Sequence, residues 1–373
     1  MTLIDLGLIG LIALVGQPVA DLLHANPQIG DLAAWLAVAI LADRAYALIV
    51  TTLQARRSMT MVAVLGVVNQ LVLSVALVSA ALIDPRPEAL TVARLVYSFA
   101  TLALAVGVYV ASRERGDFVL PSIGSILRSM PTVSGRRYWR YGFANAVDKN
   151  LADLFIQVPV QIVGVLGGER AVGYVTLAMT GIQNTGILTS AIFENLKAVV
   201  PQAIGRRDYA VLWVGIRRAL LSLTVAATAL YALLAITAPL VIPTLLGDEW
   251  IPAIPALVVL ALFGAINAVA GIFGPLYRAL FLMRAAIVAK VAALVLVLLP
   301  GAALLALIVG QAGTPDGANA EAVAQTAAVG GALLIDGLFA VQAVLTARSV
   351  LPALRRLATK ATEDSAATPL SAS

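Results

Sequence analysis

Apolar runs of about 20 residues or more recur along this chain, separated by short breaks rich in Pro, Gly, Asp and Asn. A helix rising about 1.5 Å per residue crosses a bilayer core of about 30 Å in about 20 residues. Strands that cross membranes are shorter and alternate apolar with polar positions, and these runs do not alternate. Ten helical spans are predicted: Leu3–Leu23, Leu32–Leu53, Met59–Leu82, Leu90–Ala111, Phe143–Leu166, Gly173–Leu196, Val211–Ile236, Ala253–Tyr277, Ala285–Val309 and Ala320–Thr346.

Charge orients these spans, because Lys and Arg in short loops mark the cytoplasmic side. Arg56 and Arg57 follow the second span. The next loop has Arg86 set against Asp84 and Glu88. Arg113, Arg115, Arg128, Arg136, Arg137 and Arg140 follow the fourth span, and Arg170 beside Glu169 follows the fifth. Lys197, Arg206, Arg207, Arg217 and Arg218 come next, then an acidic loop with Asp248 and Glu249, then Arg278 and Arg284, then Asp316. Arg348, Arg355, Arg356 and Lys360 lie past the last span. Basic and non-basic loops alternate throughout, which places both termini in the cytoplasm.

Composition narrows the class. Of 373 residues, 61% are hydrophobic and 12% charged, against about 45–50% and about 25% in soluble domains. A chain this apolar cannot cover its surface with polar groups in water. There is no cysteine, which excludes disulfide, thiolate-metal and thiol redox chemistry. The single histidine, His24, sits in a loop and is assigned no role. The net charge of +5 is concentrated in loops of one side and is no sign of nucleic-acid binding. A phosphate-binding G-x-x-x-x-G-K-[ST] loop, H-E-x-x-H and G-x-S-x-G are all missing from the sequence. With outer loops too short for a catalytic domain, the chain reads as a transporter rather than an enzyme, with no cofactor and no metal.

Polar residues inside spans are expensive and tend to face a cavity or a partner. Asp43 and Arg44 lie in the second span, Asn69 and Gln70 in the third, Gln183 and Asn184 in the sixth, Asn267 in the eighth and Asp336 in the tenth. The fifth span says most. Asn145, Lys149, Asp153, Gln157 and Gln161 recur every fourth residue, beside Asp148. At 3.6 residues per turn each step drifts about 40°, so one polar stripe winds along the helix. Lys149 and Asp153 are spaced for an i, i+4 ion pair, and Pro159 is a candidate kink. One or two polar residues suffice to join two helices. A full stripe of both charge signs suits a water-filled cavity. Asp336 is open between ion coupling and a buried structural carboxyl.

Four stretches resemble polysaccharide-type (Wzx-like) flippases of the multidrug/oligosaccharidyl-lipid/polysaccharide (MOP) exporter superfamily. They are His24–Met59, with its short Pro-containing turn; Val158–Gly186, with Gly173 and Tyr174 opening a helix; Ala198–Asp208, with a Pro before a short basic loop; and Val241–Leu262, with Leu246, Gly247, Glu249 and Trp250 before a new span. The resemblance implies an all-α polytopic membrane protein of two facing helical bundles, each of six helices in the family. Here about ten helices divide as four and six, and by that likeness the first two are missing. The implied domains are an incomplete N-terminal bundle (1–112), a basic cytoplasmic linker (113–142), a six-helix bundle (143–346) and a disordered cytoplasmic tail (347–373).

The implied activity is flipping of a polyprenyl-pyrophosphate-linked oligosaccharide across the plasma membrane for exopolysaccharide, capsule or O-antigen synthesis. Arg44, Asn145, Lys149, Asp153, Gln157 and Gln161 would bind substrate. Arg44 and Lys149 would attract the diphosphate, and Asp153 and Asp336 would couple to a cation. No residue would be catalytic. The implied partners are the lipid-linked oligosaccharide, membrane lipids and other polysaccharide assembly proteins, with no nucleic acid. The rival readings are a multidrug or small-cation exporter of the same superfamily and a membrane-embedded glycosyltransferase or polymerase.

Overall fold

The computed structural model describes residues 28–55, 58–84, 86–112, 135–313 and 319–367, with a few isolated positions elsewhere. The first predicted span and most of the linker lie outside the described residues. All regular structure among the described residues is helical, and eight stretches are long and apolar enough to cross a membrane. The chain divides into two compact units, Met1–Ser134 and Gly135–Ser373.

In the first unit, α1 (Gln28–Ala55), α2 (Met59–Ile83) and α3 (Pro87–Ser112) pack together. Pro87 opens α3, where a missing N–H loses nothing, and Glu88 complements the helix dipole. Leu53, Leu65, Ala105 and Tyr109 form a small buried core. Each helix pair shares a polar tie: Arg94 to Asp43 at 2.6 Å, the Tyr97 hydroxyl to the Asn69 carbonyl oxygen at 2.9 Å, and the Tyr46 hydroxyl to the Leu65 carbonyl at 3.2 Å. Leu71, Val75 and Leu82 stand exposed on α2, as lipid-facing positions should.

The second unit comprises α4 (Gly135–Gly205), α5 (Tyr209–Leu246), a 3-10 turn (Asp248–Ala253), α6 (Ile254–Ala270), α7 (Phe273–Ala279), α8 (Met283–Ala293), a π-helical turn (Leu294–Leu298), α9 (Leu299–Ala312) and α10 (Ala320–Ala367). α4 is too long for one crossing. It breaks at Gly168, whose φ of 74° and ψ of −172° are non-helical and suit a residue without a Cβ. In a straight helix Val163 and Val175 would lie about 18 Å apart, yet both side chains reach the Cβ position of Gly331 on α10. The two limbs of α4 therefore fold back on each other, which makes nine crossings among the described residues. They correspond to the second through tenth predicted spans.

Helices in a bilayer gain little from hydrophobic transfer and associate through close packing of small residues. Gly167 shows this: a Cβ there would sit 2.5 Å from the Ala327 Cβ and 2.7 Å from the Ala171 Cβ. α10 packs extensively on α4 and α6. Between them Phe339 meets Phe155 at 5.3 Å and Phe263 at 4.7 Å, both edge-on, at the centre of the core.

Three local expectations differ from the structure. α5 runs about ten residues past Ile236, through Pro239 and Pro243; prolines are tolerated in membrane helices where neighbours re-satisfy the backbone. It stops at Gly247, with φ of 96°. Pro159 lies within the helical first limb of α4, and the break at Gly168 falls in the turn expected between Leu166 and Gly173. Residues 135–142, expected to belong to the linker, are helical. α10 continues to Ala367 through most of the expected disordered tail, because its buried positions continue through Val350, Leu354 and Ala358.

Candidate functional site

The polar stripe lies on the first limb of α4. Asn145 is half-buried, and Lys149, Asp153, Gln157 and Gln161 are exposed. The opposite face, with Asp148, Phe155, Pro159 and Val163, is buried. The helix thus presents a polar face outward from a packed apolar one. The expected Lys149–Asp153 ion pair does not form. Both side chains are exposed, and a cation placed N-terminal to its anion is the weaker i, i+4 arrangement.

Behind the stripe lies a charged cluster that the sequence reading did not assemble. Asp148 is fully buried. One carboxylate oxygen accepts from Lys290 Nζ at 2.7 Å; the other accepts from the Tyr277 hydroxyl at 2.8 Å and from Arg278 at 3.2 Å. Lys290 Nζ also donates to the Asp148 backbone carbonyl at 2.6 Å. Local breaks position these groups. The chain turns at Gly271–Ile272 between α6 and α7 and again after Ala279, where Phe281 adopts φ of 58°, a conformation uncommon for a bulky residue. Those two turns hold Tyr277 and Arg278 at Asp148. Lys290 in an apolar run was itself the missed signal, since an unpaired lysine there is costly; only its partner was unreadable.

A pocket of about 150 Å³ adjoins the cluster, lined by Asn267, Phe273, Tyr277, Phe339, Gln342 and Thr346 among others. The Thr346 hydroxyl is buried without a hydrogen-bond partner. Ala152, one residue before Asp153, also lines it, which sets the pocket beside the stripe. Asp336 is buried on α10, three residues before Phe339, and neither of its carboxylate oxygens closes a hydrogen bond. An ionised carboxylate is expensive to bury alone. Arg44 lies half-buried on α1 in the first unit. The structure thus gathers the five stripe residues on one helix face and places Arg44 in the other unit.

The motifs that carried the family resemblance also meet. Tyr174 packs edge-on against Trp250 at 6.2 Å, and a Cβ on Gly173 would lie 3.8 Å from the Trp250 ring. A Cβ at Gly173 would thus make only ordinary contact with the tryptophan of the 3-10 turn. The family model described as "Polysaccharide biosynthesis protein" matches residues 2–255. The chain belongs to this polysaccharide biosynthesis family. No curated protein matches it. Its fold is similar to that of a solved structure, "Crystal structure of eukaryotic MATE transporter AtDTX14", with a TM-score of 0.72 and 15% identity over 96% of this chain and 78% of that one. Its apolar helices make this family member a multi-pass membrane protein, and its likeness to the transporter structure is one of fold.

Proposed function

We propose that this family member is a membrane transporter that flips a polyprenyl-pyrophosphate-linked oligosaccharide across the plasma membrane for exopolysaccharide, capsule or O-antigen synthesis. The exposed polar stripe of α4, on an otherwise apolar span, carries the reading. Sugar and diphosphate travel along it while the lipid tail stays in the bilayer. Lys149 and Arg44 attract the diphosphate. Asn145, Gln157 and Gln161 offer amides to sugar hydroxyls, as do Asn267 and Gln342 in the adjoining pocket. Asp153 and Asp336 balance charge or take up the coupling cation. No bond is made or broken, so binding and reorientation suffice, and an access change between bundles fits the transporter class. Both termini lie in the cytoplasm, by the alternation of basic loops. Membrane lipids and other polysaccharide assembly proteins complete the set of partners.

The test is flipping of a fluorescent polyprenyl-diphosphate oligosaccharide in proteoliposomes. Lys149→Ala is expected to slow the initial rate about tenfold, roughly 1.4 kcal/mol, with normal protein incorporation. An unchanged rate removes the stripe's role. Export of small cations without lipid flipping would put the exporter reading in its place.

A further inference from the structure

One end of the second unit carries a basic groove that the transport reading does not use. Arg217 on α5 and Arg355 on α10, far apart in sequence, line a groove of about 420 Å³ together with Trp213, Leu220 and Leu351. A second groove of about 580 Å³ shares Arg355 and continues along α10 past Arg356, Thr359 and Lys360. Arg217, Arg355, Arg356 and Lys360 are exposed, and none is in an ion pair among the described residues. Cations lining one groove make it positively charged, and an anion from outside the chain complements that charge.

We propose that this groove binds the headgroup of an anionic membrane phospholipid. Three features favour a lipid over a soluble anion. The groove has an apolar wall of Trp213, Leu220 and Leu351. That wall is continuous with the outward face of α5, where Leu221 and Val225 are 71% and 65% exposed, giving acyl chains a track leading from the headgroup. Arg217 lies about 12 Å along α5 from Tyr209, at 1.5 Å per residue, a depth from which arginine snorkels to the interface. Tryptophan beside arginine is the composition expected at headgroup level, and basic pockets between membrane helices suit anionic headgroups. The site is independent of what the transporter carries.

The experiment is native mass spectrometry of the full chain purified from bilayers of phosphatidylcholine and phosphatidylglycerol. Wild type is expected to retain phosphatidylglycerol preferentially. The double variant R217Q/R355Q should lose that enrichment about tenfold at an unchanged melting temperature, and R217K/R355K should keep most of it. R206Q/R207Q, at the turn between α4 and α5 and outside the groove, should behave as wild type. Full retention by R217Q/R355Q overturns the proposal. So does an equal loss in R206Q/R207Q, which would mark general surface charge. Displacement by inorganic phosphate, or preference for undecaprenyl phosphate over phosphatidylglycerol, would also overturn it in favour of a soluble-anion site or a site for the carrier lipid.

Discussion

Each unit of the protein holds an interhelical ion pair inside its helices, and the two pairs differ in burial. In the first unit Asp43 and Arg94 meet at 2.6 Å with about a third of each side chain exposed, 31% and 33%. In the second, Asp148 and Lys290 meet at 2.7 Å with 1% and 4% exposed. The lengths are nearly equal, so length alone does not rank them. Enclosure does: a charge stripped of its surroundings must find every partner inside the protein. Asp148 accordingly has three side-chain donors, from Tyr277, Arg278 and Lys290, whereas Asp43 has Arg94. The first pair joins two helices. The second anchors three segments behind the polar stripe.

Removing Asp148 should break this comparison most sharply. Asp148→Leu deprives both Lys290 and Arg278 of their shared carboxylate, and is expected to destabilise the protein by about 4 kcal/mol, read as a lower melting temperature in detergent. The double variant Asp148→Leu/Lys290→Met should recover most of that loss, because an apolar replacement of a whole buried pair is close to neutral. If the double variant melts as low as the single one, the cluster acts through something other than stranded charge.

Packing comes next. Gly167→Ala must push apart the first limb of α4 and α10, because the Cβ of Ala327 is attached directly to backbone and cannot swing away. An overpacking penalty of about 2 kcal/mol is expected. A variant that melts with wild type would mean that the two helices slide easily, and that the second unit is looser than its closely packed glycines indicate.

Asp43→Asn should cost less, about 1 kcal/mol, as befits a part-exposed pair. A loss as large as that of Asp148→Leu would erase the distinction between the units.

The smallest effect belongs to the turn between α2 and α3. There Arg86 donates to both carboxylate oxygens of Asp84, at 2.9 Å and 2.8 Å, and holds its carboxyl below the usual carboxylate value. A depressed folded value adds stability above the unfolded value and loses it as pH falls through the folded one. Asp84 is half-buried and Arg86 exposed, so solvent screens this contribution. Arg86→Gln should leave the melting temperature at neutral pH unchanged and move only the Asp84 titration upward. A shifted acid limb of the melting curve would show that this turn matters more than its exposure allows.

The helix content and the stripe were legible because both are local. Asn145, Lys149, Asp153, Gln157 and Gln161 needed only the helical repeat to share a face, and the structure leaves four of them exposed. The break at Gly168 was legible too, because it falls in the turn expected between Leu166 and Gly173. Lys290 stood in plain view in an apolar run, yet nothing near it in the chain named Asp148, which lies 142 residues away. The pairing of Arg217 with Arg355 in one groove was hidden for the same reason.

By itself the sequence determined that this is a many-helix membrane protein, which segments cross, and which loops carry positive charge. The bilayer makes that possible, because it selects on length and apolarity within each segment and demands that each helix satisfy its own backbone. The tertiary structure alone decided which faces meet. Helix association in lipid depends on close contact between small residues and on the few polar groups that find one another, and those contacts join positions that no local pattern connects.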